Sequence, residues 1–402
     1  MVKKSALSFL VLISLLSVSG CTVLSPSPEM ISRGKALKKL RWFGKPSLRD
    51  DMDKESLFRA VEKNFLFLSR LPEKREVYFG TEKYTVADLK ESCRHLLFLI
   101  EKTGGRKELE NRIKEDFDIY RSSGMDRKKR VHFTGYFEPV FLGSRERTET
   151  FQYPLYRKPD DLLEIELGRF SESLKGKKII ARLDGEGLSP YFTRKMIAVD
   201  KALVGRGYEL VWLSSPLDVF FLHIQGSGII SLEDGSTMSV NYAGANGRKY
   251  SSVGRLLIEQ GKILKENMSM QAIRNYLTEN PEEMDAVLNH NESYVFFREV
   301  SEGPVGSTGV LLTAGRSIAT DNSLFPKGGI AFIETEIPEL DENGKIVSWK
   351  RVSRFVIDQD RGGAIKGAGR VDIFFGTGDE AGLIAGSMNR KGRLFYLIKK
   401  RS

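Results

Sequence analysis

One acid in this 402-residue chain stands where an acid is costly. In the stretch DQDRGGAIKGAGRVDIFFG, residues 358–376, Asp372 is flanked by Val371, Ile373, Phe374 and Phe375 and follows a glycine-rich turn. Hydrocarbon around a carboxyl penalises the ionised form and raises its pKa, which is how a general acid is kept protonated near neutral pH. A strand-end aspartate satisfied by turn amides is the alternative reading of the same pattern. Asp360 precedes the turn, where it can hydrogen-bond the turn amides or assist the reaction, and Gly362 and Gly363 let backbone approach a ligand with Lys366 nearby. Asp321, before LFPKGG, is of a type that organises turns.

Two other segments carry candidate binding groups. In FTGYFEP, residues 133–139, the Thr134 hydroxyl could orient Asp372 or bind substrate, and Tyr136 and Phe137 offer ring faces on which a ligand could stack. Glu138 in the same segment could activate water if it faced Asp372. Gln225, Gly226, Ser227 and Gly228 read as a polar, backbone-exposing turn after an apolar strand, suited to hydrogen-bonding a ligand.

Taken together, ATDNSLFPKGG at 319–329, DRGGAIKG at 360–367 and RVDIFFG at 370–376 resemble the three-aspartate domain of the membrane-bound lytic transglycosylase A family. The resemblance extends through FTGYFEPVFLGSRERTETFQYPLYRKP at 133–159, FFLHIQGSGIISLEDG at 220–235, NYAGANGRKYSSVGRLLIEQG at 241–261 and AGLIAGSMNRKGRLFYL at 381–397, in the family's order. It implies a peptidoglycan-cleaving lytic exotransglycosylase, a carbon–oxygen lyase acting on glycan strands. It also implies a mainly β protein with a helical N-terminal part. A double-psi β-barrel domain from 31–138 and 307–402 would carry the acid, with a second β-barrel inserted at 139–306 across a groove.

Asp372 would then protonate the oxygen between N-acetylmuramic acid and N-acetylglucosamine. Its carboxylate would next take the proton of the muramyl C6 hydroxyl as that oxygen closes on C1, giving a 1,6-anhydro product. An intramolecular nucleophile has an effective molarity of roughly 10⁵ M or more, so no second carboxylate is needed to activate water. The competing readings are a muramidase using Glu138 or Asp360 as base, which is the two-carboxylate pattern of ordinary glycosidases, and a non-catalytic peptidoglycan-binding lipoprotein.

The elements that must position these groups are also legible. Leu57, Val61, Phe65 and Leu68 line one face of a helix over 56–69, Thr85 to Asp88 is a helix start, and Leu109, Ile113, Phe117 and Tyr120 mark a third helical stripe. Cys93 falls on the apolar face of the second helix and is read as a small core residue. From residue 130 short alternating runs punctuated by Gly, Pro and Asn, among them 220–225, 329–337, 355–357 and 393–398, indicate β structure. A helix starting at Ser269 interrupts them, and Asn280-Pro281 opens another.

The N-terminus has the order of a secretory signal: Lys3 and Lys4, an apolar run over 6–18, then Val18-Ser19-Gly20-Cys21. The run is too short to span a bilayer. Cys21 reads as a lipidation site, with 1–20 removed and 21–30 a tether, and Thr22 favours the periplasmic face of the outer membrane of a Gram-negative bacterium. Apart from Cys21 the only cysteine is Cys93, so no disulfide framework exists. The net charge of +10 suits anionic cell-wall glycan and lipid rather than nucleic acid, for which no motif occurs. The four histidines lack metal-ligand spacing, and no nucleotide or zinc motif is present, so the expectation is no metal and no cofactor. The expected partners are glycan strands, the membrane through the lipid, and other cell-wall enzymes.

Overall fold

Six strands pair edge to edge until their sheet closes on itself. In this computed structural model, which describes residues 32–41, 44–342, 344–363 and 365–401, Val131–Glu138 runs parallel to Arg370–Thr377 and antiparallel to Asn389–Lys399. Ser317–Ala319, Ile346–Asp360 and Ile330–Leu340 complete the ring. Closure removes the unpaired edges that an open sheet must protect. Alternation then sorts the faces. Val131, Phe133, Ile318, Phe332, Ile357, Val371, Ile373 and Leu394 all point into one buried apolar cluster. Residues between them, including Thr134 and Asp372, are left on the other face.

Helices brace this ring. Lys54–Ser69 is capped by Asp53, whose side chain accepts the Ser56 amide at 2.7 Å, and it buries Leu57, Val61 and Leu68. Val86–Lys102 begins with a reciprocal Thr85/Asp88 capping box, a device stabilising a helix by about 1 kcal/mol. Cys93 on this helix is fully buried, and burial pushes its thiol up to about 12, which suits a packing role. Arg316, itself buried, donates to Asp50 at 2.6 Å, to the Phe355 and Asp53 carbonyls and to Ser56, which locks the first helix onto the ring.

The third stripe departs from expectation. The helix Arg106–Asp116 carries Leu109 and Ile113, but Phe117 ends it, and Tyr120 lies on the strand Phe117–Ser122. Pairing of that strand with Asn389–Lys399 overrides the helical spacing.

A second, six-stranded sheet comprises Val140–Ser144, Tyr153–Tyr156, Glu209–Leu213, Ser227–Leu232, Thr237–Ala245 and Val295–Val300, and one bridge from Arg157 to Phe297 links its two edge strands. Residues 220–225 are not a strand here. They lie in the helix Pro216–Gln225, started by the Ser215 cap and Pro216 at its first position. It is apolar all round because Val219 and Leu222 face the sheet while Leu217, Phe220 and Phe221 face a cluster of small helices. Asn280 also departs from its expected capping role: its Nδ2 donates back to the Tyr276 carbonyl, and a short 3-10 turn precedes the helix Met284–Asn289. The signal segment, Cys21 and the tether lie outside the described residues. Among the described residues no helix is long and apolar enough to cross a membrane.

Candidate active site

Strand register brings three of the candidate residues into one row. Asp372 is level with Thr134 on its parallel neighbour and with Ala319 on its antiparallel one, and Ala319 is level with Asp360. Tyr136 lies two residues beyond Thr134 on the same face, its ring 5.3 Å from that of Phe374.

This row is notable for polar atoms that lack partners. Thr134 Oγ1, Tyr136 OH, Asp372 Oδ1 and Arg370 Nε are buried, and none has a hydrogen-bond partner among the described residues. Folded proteins pair about nine-tenths of such groups or more, so four together mark a place prepared for something else to bind. The Asp372 side chain is 19% exposed, and its Oδ1 lies 3.9 Å from Arg370 Nε. Its carboxyl is pushed up to about 7, chiefly by burial, with Arg370 opposing and Asp360 adding to the rise. A carboxyl so placed can hold a proton close to neutral pH. Tyr136 is held well above the ordinary phenol value by burial and then by the nearby charge of Asp360, although no well-formed hydrogen bond joins the two.

Asp360 and Asp321 are differently placed. Asp360 Oδ1 accepts the Ser307 and Arg361 amides at 2.9 and 2.8 Å. Burial raises its pKa, and these two amides oppose the rise. Asp321 is engaged on both oxygens, by the Ser323 amide and hydroxyl on Oδ1 and by the Gly367 amide on Oδ2. Burial would raise Asp321, but those hydrogen bonds outweigh it and hold the carboxyl below its ordinary value. It organises the turn and pins the loop 361–369 at Gly367, whose φ of +83° favours glycine. Gly363 faces open space at its Cβ position, and Lys366 is exposed.

Glu138 stands apart from Asp372. It is level with Thr377, four residues past Thr134, which is about 13 Å along a strand rising ~3.3 Å per residue. It is 1% exposed, Oε2 accepts the Thr377 hydroxyl at 3.1 Å, and Oε1 has no partner among the described residues. Burial pushes this carboxyl to about 7 as well, with the Thr377 hydrogen bond opposing. Phe137 faces away from Tyr136 and packs where a Cβ on Gly382 would stand, 2.8 Å from its ring.

Gln225 to Gly228 form the end of a helix rather than a hairpin turn. Gly226 is its left-handed cap, Gln225 Nε2 lies 3.1 Å from Met270 Sδ, and Ser227 opens the next strand. A Cβ on Gly228 would stand 2.5 Å from Leu222, so this glycine permits close helix packing. The segment nevertheless runs beside the exit of the Thr134 strand, because the Ile229 amide donates to the Pro139 carbonyl at 2.9 Å. From the same sheet, half-exposed Tyr242 stands near enough to Arg361 to feel its charge.

Known proteins match this arrangement along most of the chain. A family model described as the MltA specific insert domain matches residues 132–298, and one for the 3D domain matches residues 316–398. Membrane-bound lytic murein transglycosylase A of Escherichia coli K12 is 38% identical over 283 residues, 70% of this chain and 69% of the relative. The chain belongs to the membrane-bound lytic murein transglycosylase A family. The homolog of that protein in Buchnera aphidicola is 31% identical over 295 residues, 73% of each chain. Among solved structures, a membrane-bound lytic murein transglycosylase from Agrobacterium tumefaciens aligns with a TM-score of 0.74 at 30% identity, covering 90% of this chain and 98% of that one. Escherichia coli MltA with bound chitohexaose aligns at 0.70 and 27% identity, covering 93% and 98%.

Sequence reasoning missed three contributors to this family site. Arg370 is two residues before Asp372 on the same strand, so alternation alone puts it on the acid's face. Asp358, two residues before Asp360, is fully buried and accepts Thr320 Oγ1 and Tyr396 OH at 2.6 Å and Lys327 Nζ at 2.5 Å. Lys327 also donates to the Asp360 carbonyl, so this pair supports the end of the strand that presents Asp360. No local pattern announces it, since the two residues are 31 positions apart.

Proposed function

We propose that this protein is a peptidoglycan lytic transglycosylase in which Asp372 alone serves as acid and then as base. The observation that carries the reading is a buried carboxyl oxygen beside buried hydroxyls, none with a partner among the described residues, with the nearest rival acid on its paired strand, Glu138, displaced about 13 Å. An inverting pair of carboxyls needs a separation of roughly 6.5–9.5 Å and a retaining pair about 5–5.5 Å. Protonated Asp372 gives its proton to the glycosidic oxygen as the bond from C1 of N-acetylmuramic acid to that oxygen breaks. The muramyl C6 oxygen then bonds to C1, and its proton passes to the Asp372 carboxylate, which restores the acid. No water is consumed. Arg370 steadies the carboxylate that exists between the two transfers, and the Thr134 and Tyr136 hydroxyls hold the sugar. Asp360 adds negative charge that favours the protonated start, with the loop bearing Gly362, Gly363 and Lys366 and the segment Gln225 to Gly228 bordering the glycan.

The ring is read as a double-psi barrel built from 31–138 and 307–402 with an insertion at 139–306. Its two parallel pairings among antiparallel ones support this, as does the confinement of all six strands of the second sheet to 140–300. Tethering by lipid on Cys21 at the outer membrane is part of the same proposal and rests on the sequence order there, together with the membrane-bound relatives.

The test is mass analysis of soluble muropeptides released from purified peptidoglycan by residues 31–402, beside Asp372→Asn. Anhydro-muramyl products, lighter by one water than reducing-end forms and absent with the variant, are expected. Reducing-end products would make the protein a muramidase with Asp360 as the base to test first. No release by a folded protein would leave a glycan-binding anchor.

A further inference from the structure

A second concave site lies on the inserted sheet, lined by no residue of the row around Asp372. It is a cavity of about 220 Å³ on the outer face of the strands Tyr153–Tyr156 and Glu209–Leu213. Register explains the face: Trp212 is level with Pro154, and both line the cavity, while Val211, Leu213 and Leu155 point the other way into the sheet's core. At roughly 30 Å³ per water the space holds about seven waters, the size of one sugar ring rather than a length of chain.

Its walls are chemically specific. Trp212 and Tyr153 supply ring faces, and Tyr156, 1% exposed, has a hydroxyl with no partner among the described residues. Asn289 Oδ1 is likewise buried and partnerless, its amide nitrogen being spent on the Asp285 carbonyl. An apolar ligand would leave both groups unsatisfied, whereas a ring bearing hydroxyl and N–H groups would pair them. Charge narrows the class further. Arg147 lies over the Trp212 ring at 5.8 Å and Lys201 lines the rim, against one acid, Asp285. Arg194 forms part of the wall but is fully engaged, by the Asn291 and Ser293 carbonyls and His223 Nδ1. Lys201 Nζ donates to the Ala198 carbonyl, so among the described residues it is exposed Arg147, in no hydrogen bond or ion pair, that a substituent on the ring would meet.

We propose that this cavity is an accessory saccharide site for a single amino-sugar ring carrying a carboxylate, of the N-acetylmuramic acid type. The proposal rests on the peptidoglycan reading above for the identity of the polymer, and it adds a second attachment point on stretches of glycan whose muramyl carboxyl is free of a stem peptide, since an amide-linked carboxyl carries no charge. Binding at two points raises the local concentration of strand at Asp372 without any new contact there.

The experiment is a titration of Asp372→Asn with N-acetylmuramic acid, and separately with N-acetylglucosamine, followed by tryptophan fluorescence and ligand-observed NMR. Saturable millimolar binding of N-acetylmuramic acid is expected, at least about fivefold tighter than N-acetylglucosamine. Arg147→Gln, an exposed change that leaves the fold alone, should erase that preference. Tyr156→Phe should weaken both sugars about tenfold. Each variant in an otherwise wild-type chain should release soluble products from short glycan fragments within twofold of normal. No saturation up to tens of millimolar, or binding that both variants leave unchanged, would overturn the site. Binding is read on an inactive chain, so its failure is separable from any failure of wild-type protein to release anhydro products.

Discussion

Asp358 and Asp372 are both buried carboxyls of the closed barrel, on strands separated only by Ser317–Ala319, yet their surroundings differ in one decisive respect. Asp358 is the more deeply buried, and its oxygens are met by Lys327, Thr320 and Tyr396. Asp372 retains some exposure, and its Oδ1 has only Arg370 at 3.9 Å. Burial by itself does not make an acid catalyst. A buried carboxyl met by hydrogen-bond donors on every side is a structural group, whereas burial without donors favours the protonated form. The four polar atoms around Asp372 that lack partners among the described residues put it in the second case, which is what the proposed role of proton donor requires.

The comparison is broken most severely by exchanging the chemistry of Asp372. Asp372→Asn should lower product release on the order of 10⁴-fold, the upper range for a positioned acid or base. It should do so with a gain in stability above pH 7. Because folding raises this pKa to about 7, the folded state holds the proton more tightly than the unfolded one, and the carboxyl's contribution falls as pH rises from about 4 to about 7. Denaturation at pH 8 should show the variant more stable, on the order of 4 kcal/mol, and at pH 4 little different. The opposite behaviour is expected at the other acid. Lys327→Met takes the cation away from a fully buried carboxyl that only the Thr320 and Tyr396 hydroxyls would still meet, and should cost about 3–5 kcal/mol in urea unfolding. If that variant unfolded like wild type, the contrast drawn between the two acids would be lost.

Smaller changes sharpen it. Thr134→Val keeps shape and removes a hydroxyl that has no partner among the described residues, so turnover should fall about tenfold to a hundredfold while the unfolding midpoint holds or rises slightly. A substantial loss of stability would show that Thr134 is merely a structural strand residue. Arg370→Gln removes the cation that lowers the Asp372 pKa, and the proposed reaction requires the protonated acid. The alkaline limb of the pH–rate profile should therefore move upward by about one unit. Glu138→Gln should change activity by less than about twofold, because the strand rise separates it from the row, and a profile limb that vanished in this variant would restore Glu138 as a second catalytic carboxyl.

Much of this site was legible before any coordinates. Asp372 announced itself because strand alternation makes an acid between Val371 and Ile373 conspicuous, and the turn role of Asp321 followed from the residues after it. What pairs with what was not legible. That Asp372 is level with Thr134, and Ala319 with Asp360, is a property of strand register between segments far apart in sequence. The helix Pro216–Gln225 was misread as a strand because two cores, one on each side, demand apolar residues at most positions, which blurs the helical period. Ser215-Pro216 was the overlooked start signal. Tyr120 was misassigned for the converse reason, since its spacing from Ile113 mimics a helix across the junction at Phe117.

The central claim is that Asp372 holds its proton near neutral pH for want of partners. Its most direct test is a carbon-13 NMR titration of the aspartate side-chain carboxyls, with Asp372→Asn used to assign the signal. The account predicts a midpoint close to 7 in the free protein, moving upward in Arg370→Gln. A midpoint near 4 would contradict it, because Asp372 would then be an ordinary carboxylate, already ionised at the pH where the reaction needs a donor.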